Sequence, residues 1–267
     1  KYKKKNNLKV GVITFDPIPK MFFNPNLKNY RISSFEQKIT FMAKYKIDFI
    51  INKKFNKQFS KIKRLSFIKN ILYKKIKPKY IFVSDNFRFG NKREGDVKFL
   101  KKFEDIYSYK IINPKPLKKK SIVVSSTLIR TYLSSGKLKL ANKYLNRNWS
   151  IEGKVEIGRK LGRKIGFRTC NLDIKDYIIA KPGVYSVNVK ISNDKKLYKG
   201  IANLGFRPTF NQKKILLEVN IFKFSKNIYF KKINVEFTKF IRGEKKFKDI
   251  NQLKKQIDKD ILDCKKS

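Results

Sequence analysis

The 267-residue sequence contains no histidine. That absence excludes Ser-His-Asp triads, His-ligated metal centres and imidazole acid–base chemistry together, so any general base must be a carboxylate, Lys, Tyr or Cys. Only two cysteines occur, Cys170 and Cys264, far apart and without metal-type spacing, which argues against a disulfide framework or a zinc site. No apolar run approaches the ~20 residues of a membrane span. The basic start Lys1-Tyr2-Lys3-Lys4-Lys5 leads into no apolar signal-peptide core, and the lack of an initiating Met points to a fragment or a trimmed start. A cytoplasmic protein with no membrane partner is expected.

Acidic residues are scarce too: 20 Asp and Glu stand against 67 Lys and Arg, a formal charge of +47. Such an excess ordinarily argues for a polyanionic partner. Here the lysines are spread through every segment beside abundant Asn, Ile, Phe and Tyr, the mark of a global substitution bias filling solvated positions. Nucleic acid is expected to bind only non-specifically and in a salt-sensitive way. Hydrophobic residues make up 41% of the chain, enough for a core, and the length suits one large or two ordinary domains.

Residues 8 to about 112 read as alternating strands and helices. Lys9 to Phe15 is a β-type run closed by Asp16-Pro17-Ile18-Pro19. Ser33-Ser34-Phe35-Glu36 has capping-box form, and the helix after it would turn Phe35, Ile39, Met42 and Ala43 inward. Ile47 to Ile51 and Tyr80 to Val83 read as strands, with helical spacing over residues 60 to 76 between them. This βαβ pattern predicts a parallel sheet flanked by helices. Ile122 to Val124 is a further short strand, and helices are predicted from Ser126 to Leu133 and from Leu138 to Leu145, parted by Gly136. After Trp149 short strands recur: Ser150–Glu156, Gly183–Ile191, Lys196–Asn203, Ile215–Phe222 and Lys232–Phe237. They predict a small antiparallel barrel, followed by a helix over 248–264 with Ile250, Leu253, Ile257 and Ile261 on one face. The domain boundary falls near residue 147, giving domains 1–147 and 148–267.

Chemistry concentrates in Gly158-Arg159-Lys160-Leu161-Gly162-Arg163-Lys164-Ile165-Gly166-Phe167. Glycines admit backbone N–H groups to an anion and the cations neutralise it, although a basic hairpin in a Lys-rich chain would look the same. Thr169 and Asn171 follow, a hydroxyl and an amide oxygen that suit Mg²⁺ on nucleotide phosphates. Glu218 sits in the apolar run Leu216-Leu217-Glu218-Val219-Asn220-Ile221, either as a general base or as an outward-facing strand residue.

Together these residues resemble the riboflavin kinase module of bacterial bifunctional riboflavin kinase/FMN adenylyltransferases (FAD synthetases). Gly158 to Leu172 follows that family's Gly-x-x-Leu-Gly-Arg-x-x-Gly-Phe-Pro-Thr-Ala-Asn-Leu. Pro182 to Tyr185, Asn203 to Thr209, Leu217 to Asn220 and Ile241 to Phe247 follow further family motifs in order. The resemblance implies ATP-dependent phosphorylation of riboflavin to FMN, with Thr169 and Asn171 at the metal, Glu218 as base, and Gly158, Leu161, Gly162, Arg163 and Gly166 at ATP. Arg207 and Thr209 are weaker candidates for flavin or phosphate. Departures are Arg168 for the motif's Pro, Cys170 for its Ala, and Asn220 for the His after Glu-Val. Loss of the Pro removes a fixed φ from that turn.

The first half resembles the adenylyltransferase of the same enzymes, an α/β nucleotidyltransferase-like, Rossmann-like domain. Ser84-Asp85-Asn86-Phe87-Arg88-Phe89-Gly90 with Gly95-Asp96, and Ser125-Ser126-Thr127-Leu128-Ile129-Arg130, match its nucleotide-site loops. Asn86, Ser126, Thr127 and Arg130 are the candidates there, two of them at a helix start that favours phosphate. The family's first strand and His-containing loop are missing, and Ile18 stands where Thr-Phe-Asp/Glu-Pro-His-Pro has its histidine. FMN-to-FAD transfer is therefore expected to be impaired. The expected small molecules are riboflavin and FMN, ATP and Mg²⁺. A basic nucleic-acid-binding protein, or a non-catalytic flavin- or nucleotide-binding relative, stand as alternatives.

Overall fold

The computed structural model describes all residues except 1, 6, 159–165, 175, 209–212 and 266–267, with backbone alone at 4, 5, 207, 208, 213 and 214. Contacts divide the chain into two compact units, Lys1–Asn26 with Ile47–Val124, and Leu27–Lys46 with Ser125–Ser267.

In the first unit the expected parallel pairing is present. Strand β1 (Gly11–Asp16) runs parallel to β2 (Phe49–Lys54). Strand β3 (Tyr80–Phe82) precedes two short hairpin-like strands, β4 (Arg88–Phe89) and β5 (Gly95–Asp96), and pairs in parallel with β6 (Lys110–Ile112). The strands hydrogen-bond as two separate parallel pairs. The helical spacing read over 60–76 resolves into short turns and a π-helix, Phe67–Ile76. It is closed by the left-handed Lys77, whose N–H reaches Leu72 O. Ile68, Leu72, Leu100, Tyr109 and Ile111 form the core, and the Tyr109 hydroxyl is satisfied by Leu100 O at 2.8 Å. A two-residue ladder, β7 (Lys118–Lys119) with β8 (Ile122–Val123), ends this unit.

The second unit is built on a closed six-stranded barrel in the order β10-β13-β12-β11-β14-β9. The strands are β9 (Trp149–Glu156), β10 (Cys170–Asp173), β11 (Gly183–Ile191), β12 (Leu197–Pro208), β13 (Lys213–Ile221) and β14 (Lys232–Gly243). Alternation sends Ile151, Val155, Leu172, Tyr185, Val187, Leu204, Leu217, Val235 and Phe237 into the core, all at most 1% exposed. Trp149 and Tyr185 pack on Phe237 at 4.7 and 5.1 Å between ring centroids.

Among the described residues four helices dress the barrel. Helix α1 (Phe35–Lys44) belongs to this unit despite its early place in the chain. Its cap is set one residue later than Ser33–Glu36 suggests: the Ser34 hydroxyl accepts from Gln37 N–H and the Gln37 side chain accepts from Ser34 N–H. Ser33 is engaged elsewhere, accepting from Arg147 Nη2 at 2.8 Å. The inward position of α1 is Gln37, 2% exposed, which donates to Ser150 Oγ at 2.9 Å and accepts from the Tyr177 hydroxyl at 3.0 Å. Ile39 (41% exposed) and Ala43 point outward, contrary to the apolar-face expectation, because a hydrogen-bonded polar anchor occupies the contact instead. Helices α2 (Ser126–Ser134) and α3 (Leu138–Leu145) bury Ile129, Leu133, Leu138 and Ala141 and meet at Gly136, whose φ of +77° suits glycine. Helix α4 (Ile250–Lys265) covers Val184 and Ile201 on the outer barrel face with Ile261 and Cys264, while Ile250 is left 60% exposed.

Candidate functional site

Strand register sets the site. Leu172 and Leu217 face the core, so their neighbours Asn171 and Glu218 face out. Asn171 lies directly opposite Glu218 on one side and Glu156 on the other, and Glu218 lies opposite Asn203. The result is a transverse polar row, Glu156–Asn171–Glu218–Asn203, across four adjacent strands. Directly paired side chains of this kind have Cβ atoms about 4.5–5.5 Å apart.

Asn171 is only 7% exposed although it faces outward. The cause is Gly158, just past the end of β9: a Cβ there would lie 1.7 Å from Asn171 Nδ2. Glycine allows this backbone to rest on the amide. Among the described residues Asn171 Oδ1 is buried and has no hydrogen-bond partner. A buried carbonyl oxygen left unmatched costs about 1–3 kcal/mol. An oxygen of this type beside a carboxylate fits a hard cation, and Thr169 adds an exposed hydroxyl two residues earlier. The Glu218 carboxylate is half-buried, and no described residue binds it.

Thr169 and Cys170 line a cavity of about 270 Å³ floored by Val155, Val219 and Ile221 and walled by Tyr229; Asn171 and Glu218 do not line it. Burial pushes the Cys170 thiol up to about 12, so the group stays protonated and acts here as an apolar wall. Just outside the ladder, Asn220 Nδ2 donates to Arg168 O at 2.7 Å.

Of the other expected site residues, Gly166 has φ +90°, which suits glycine, and Arg207 is on β12 opposite Lys214. Leu161, Gly162, Arg163 and Thr209 lie outside the described residues. In the second unit, Ser126 and Thr127 are exposed on the first turn of α2, whose cap is Ser125 accepting from Leu128 N–H. Arg130 Nε donates to Tyr30 O at 2.9 Å and its guanidinium stacks 3.6 Å from the Tyr30 ring centroid. Asn86, in the first unit, is exposed and accepts from Ser84 Oγ at 2.7 Å.

Residues 145–267, which hold the six-stranded antiparallel barrel and its polar row, match the family described as riboflavin kinase. Residues 1–128 match the family described as FAD synthetase. A curated "bifunctional riboflavin kinase/FMN adenylyltransferase" of Buchnera aphidicola subsp. Schizaphis graminum is 41% identical over 266 residues, covering 98% of this chain and 85% of that protein. The protein of the same description from Escherichia coli is 33% identical, covering 97% and 82%. A solved Streptococcus pneumoniae structure described as a macrolide-efflux protein superposes with a TM-score of 0.82 at 28% identity, covering 97% of this chain and 84% of that one. Among the described residues no helix is long and apolar enough to cross a membrane. The chain belongs to the bifunctional riboflavin kinase/FMN adenylyltransferase family.

Proposed function

We propose that this chain transfers the γ-phosphoryl group of ATP to the ribityl 5′-hydroxyl of riboflavin, giving FMN, in the cytoplasm, with 148–267 as the kinase domain and 1–147 as the adenylyltransferase-like domain. The observation that supports this most is the buried Asn171 Oδ1, without a hydrogen-bond partner among the described residues, beside a Glu218 carboxylate that no described residue binds. Glu218 accepts the hydroxyl proton and orients the oxygen for attack. Asn171 Oδ1 and Thr169 Oγ1 would hold Mg²⁺, which would supply neutralisation of the nucleotide phosphate charge. In the same reading the cations and glycines of 158–166, Arg163 among them, serve the ATP phosphates, and Arg207 and Thr209 serve flavin or phosphate. The cavity beside Thr169, with its floor of Val155, Val219 and Ile221, suits a nucleobase.

Adenylyl transfer by this chain is slow in the same reading. Ile18 stands where the resemblance has a histidine, and Arg130 Nε donates to the Tyr30 carbonyl while the guanidinium stacks on the Tyr30 ring. Asn86, Ser126 and Thr127 remain as residual nucleotide contacts. Incubation with riboflavin, ATP and Mg²⁺, followed by chromatographic separation of flavins, is expected to give FMN with little FAD. No FMN would overturn the kinase reading; FAD formed as fast as FMN would overturn the second.

A further inference from the structure

We propose that Asn220 is a positioning residue of the phosphoryl-transfer site: its amide ties the turn that carries Thr169 to the strand that carries Glu218. This rests on the kinase reading and adds to it a residue that touches no reactant. The backbone pairing of β10 with β13 begins at Cys170 opposite Val219, so residues 168 and 169 lie just beyond the ladder. Asn220 is next along β13, on the same outward side as Glu218, and its Nδ2 reaches across to the carbonyl of Arg168 at 2.7 Å. The side-chain bond thus extends the pairing past the last backbone pair, at the peptide that leads directly into Thr169.

The local sequence makes such a tether consequential. Arg168 leaves φ free where a proline would fix it. Thr169 is exposed, so packing contributes little to holding it. Two residues on, Asn171 is confined beneath Gly158. One ligand of the pair is therefore held by burial and the other, among the described residues, by one hydrogen bond from the neighbouring strand. Losing that bond frees Thr169 while leaving Glu218, and the proton it accepts, in place.

The test compares Asn220→Ala with Asn220→Gln, which keeps an amide donor. Steady-state kinetics with riboflavin and Mg–ATP are followed by FMN formation, Mg–ADP affinity by calorimetry and folding by thermal melts. A net hydrogen bond of ordinary strength corresponds to about a three- to tenfold effect. The KM for Mg–ATP and the Kd for Mg–ADP should rise by about that factor in Asn220→Ala, with kcat within about twofold. The melting temperature should stay near wild type, and Asn220→Gln should recover most of the loss. Unchanged nucleotide constants in Asn220→Ala, or a glutamine variant no better than alanine, would overturn the proposal. So would a loss of kcat that merely follows lost folding. If wild-type protein makes no FMN, the kinase reading fails by itself, and the Mg–ADP affinities still decide the tether.

Discussion

Replacing Gly158 by Ala should damage the site far more than one methyl group suggests. The added Cβ would stand 1.7 Å from Asn171 Nδ2, whereas non-bonded heavy atoms settle at about 3.5–4.0 Å. Either the backbone after β9 lifts or the Asn171 amide moves, by about 2 Å in total. The amide is 7% exposed and fixed on β10 between two strands, so it has little room to retreat. Overpacking of this kind costs about 1–3 kcal/mol of stability. The effect on catalysis should be larger, since a misplacement of about 1 Å costs on the order of 100-fold. We expect kcat/KM for Mg–ATP to fall by about 100-fold and the Mg²⁺ concentration for half-maximal rate to rise. A Mg²⁺ titration of FMN formation at saturating riboflavin, alongside a urea melt, reads both. A variant with wild-type Mg²⁺ dependence and kcat/KM within about threefold would refute the reasoning.

Two further outcomes follow from the barrel. Arg242 grips the Asp260 carboxylate through Nε and Nη2 at 2.7 to 3.0 Å, with Gln256 Nε2 adding 2.8 Å, and Asp260 is 2% exposed. Arg242→Met strands that charge and should cost about 3–5 kcal/mol in a urea melt, with hydrogen-exchange protection lost first in α4; a loss below about 0.5 kcal/mol would contradict this. Burial raises the Cys170 thiol from 9.0 to about 12, so the fold favours the protonated form. Its contribution is complete below the ordinary thiol value and is lost as pH climbs from there toward about 12. Cys170→Ala should therefore lose less stability than wild type between pH 9 and 11 in parallel denaturant melts, and equal slopes would contradict the assignment.

Much of the architecture was legible because burial follows simple periods. Val187, Val189 and Ile191 alternate, and β11 lies where that alternation puts it, at Gly183–Ile191. By contrast, β10 is four residues long and its Cys-Asn-Leu-Asp run has no strand signature; it becomes a strand because β9 and β13 flank it and close the barrel. Helix α1 misled in another way. Ile39 and Ala43 fit an apolar stripe, yet Gln37 faces inward because Ser150 and Tyr177, more than a hundred residues later, supply its partners. Thr169, Asn171 and Glu218 are readable in the sequence as residue types that suit the proposed chemistry. Their neighbours were not: that Asn171 opposes Glu218, that Gly158 rests on the Asn171 amide, and that Asn220 reaches Arg168 all depend on strand register. Register depends on barrel closure, which local sequence does not encode.

The most direct measurement is the rate of ATP-dependent FMN formation by Glu218→Gln set against its affinity for Mg–ADP. Glutamine keeps the shape and removes the proton acceptor, so turnover should fall by about 100- to 10,000-fold while nucleotide affinity stays near wild type. Turnover equal to wild type in that variant would contradict the account.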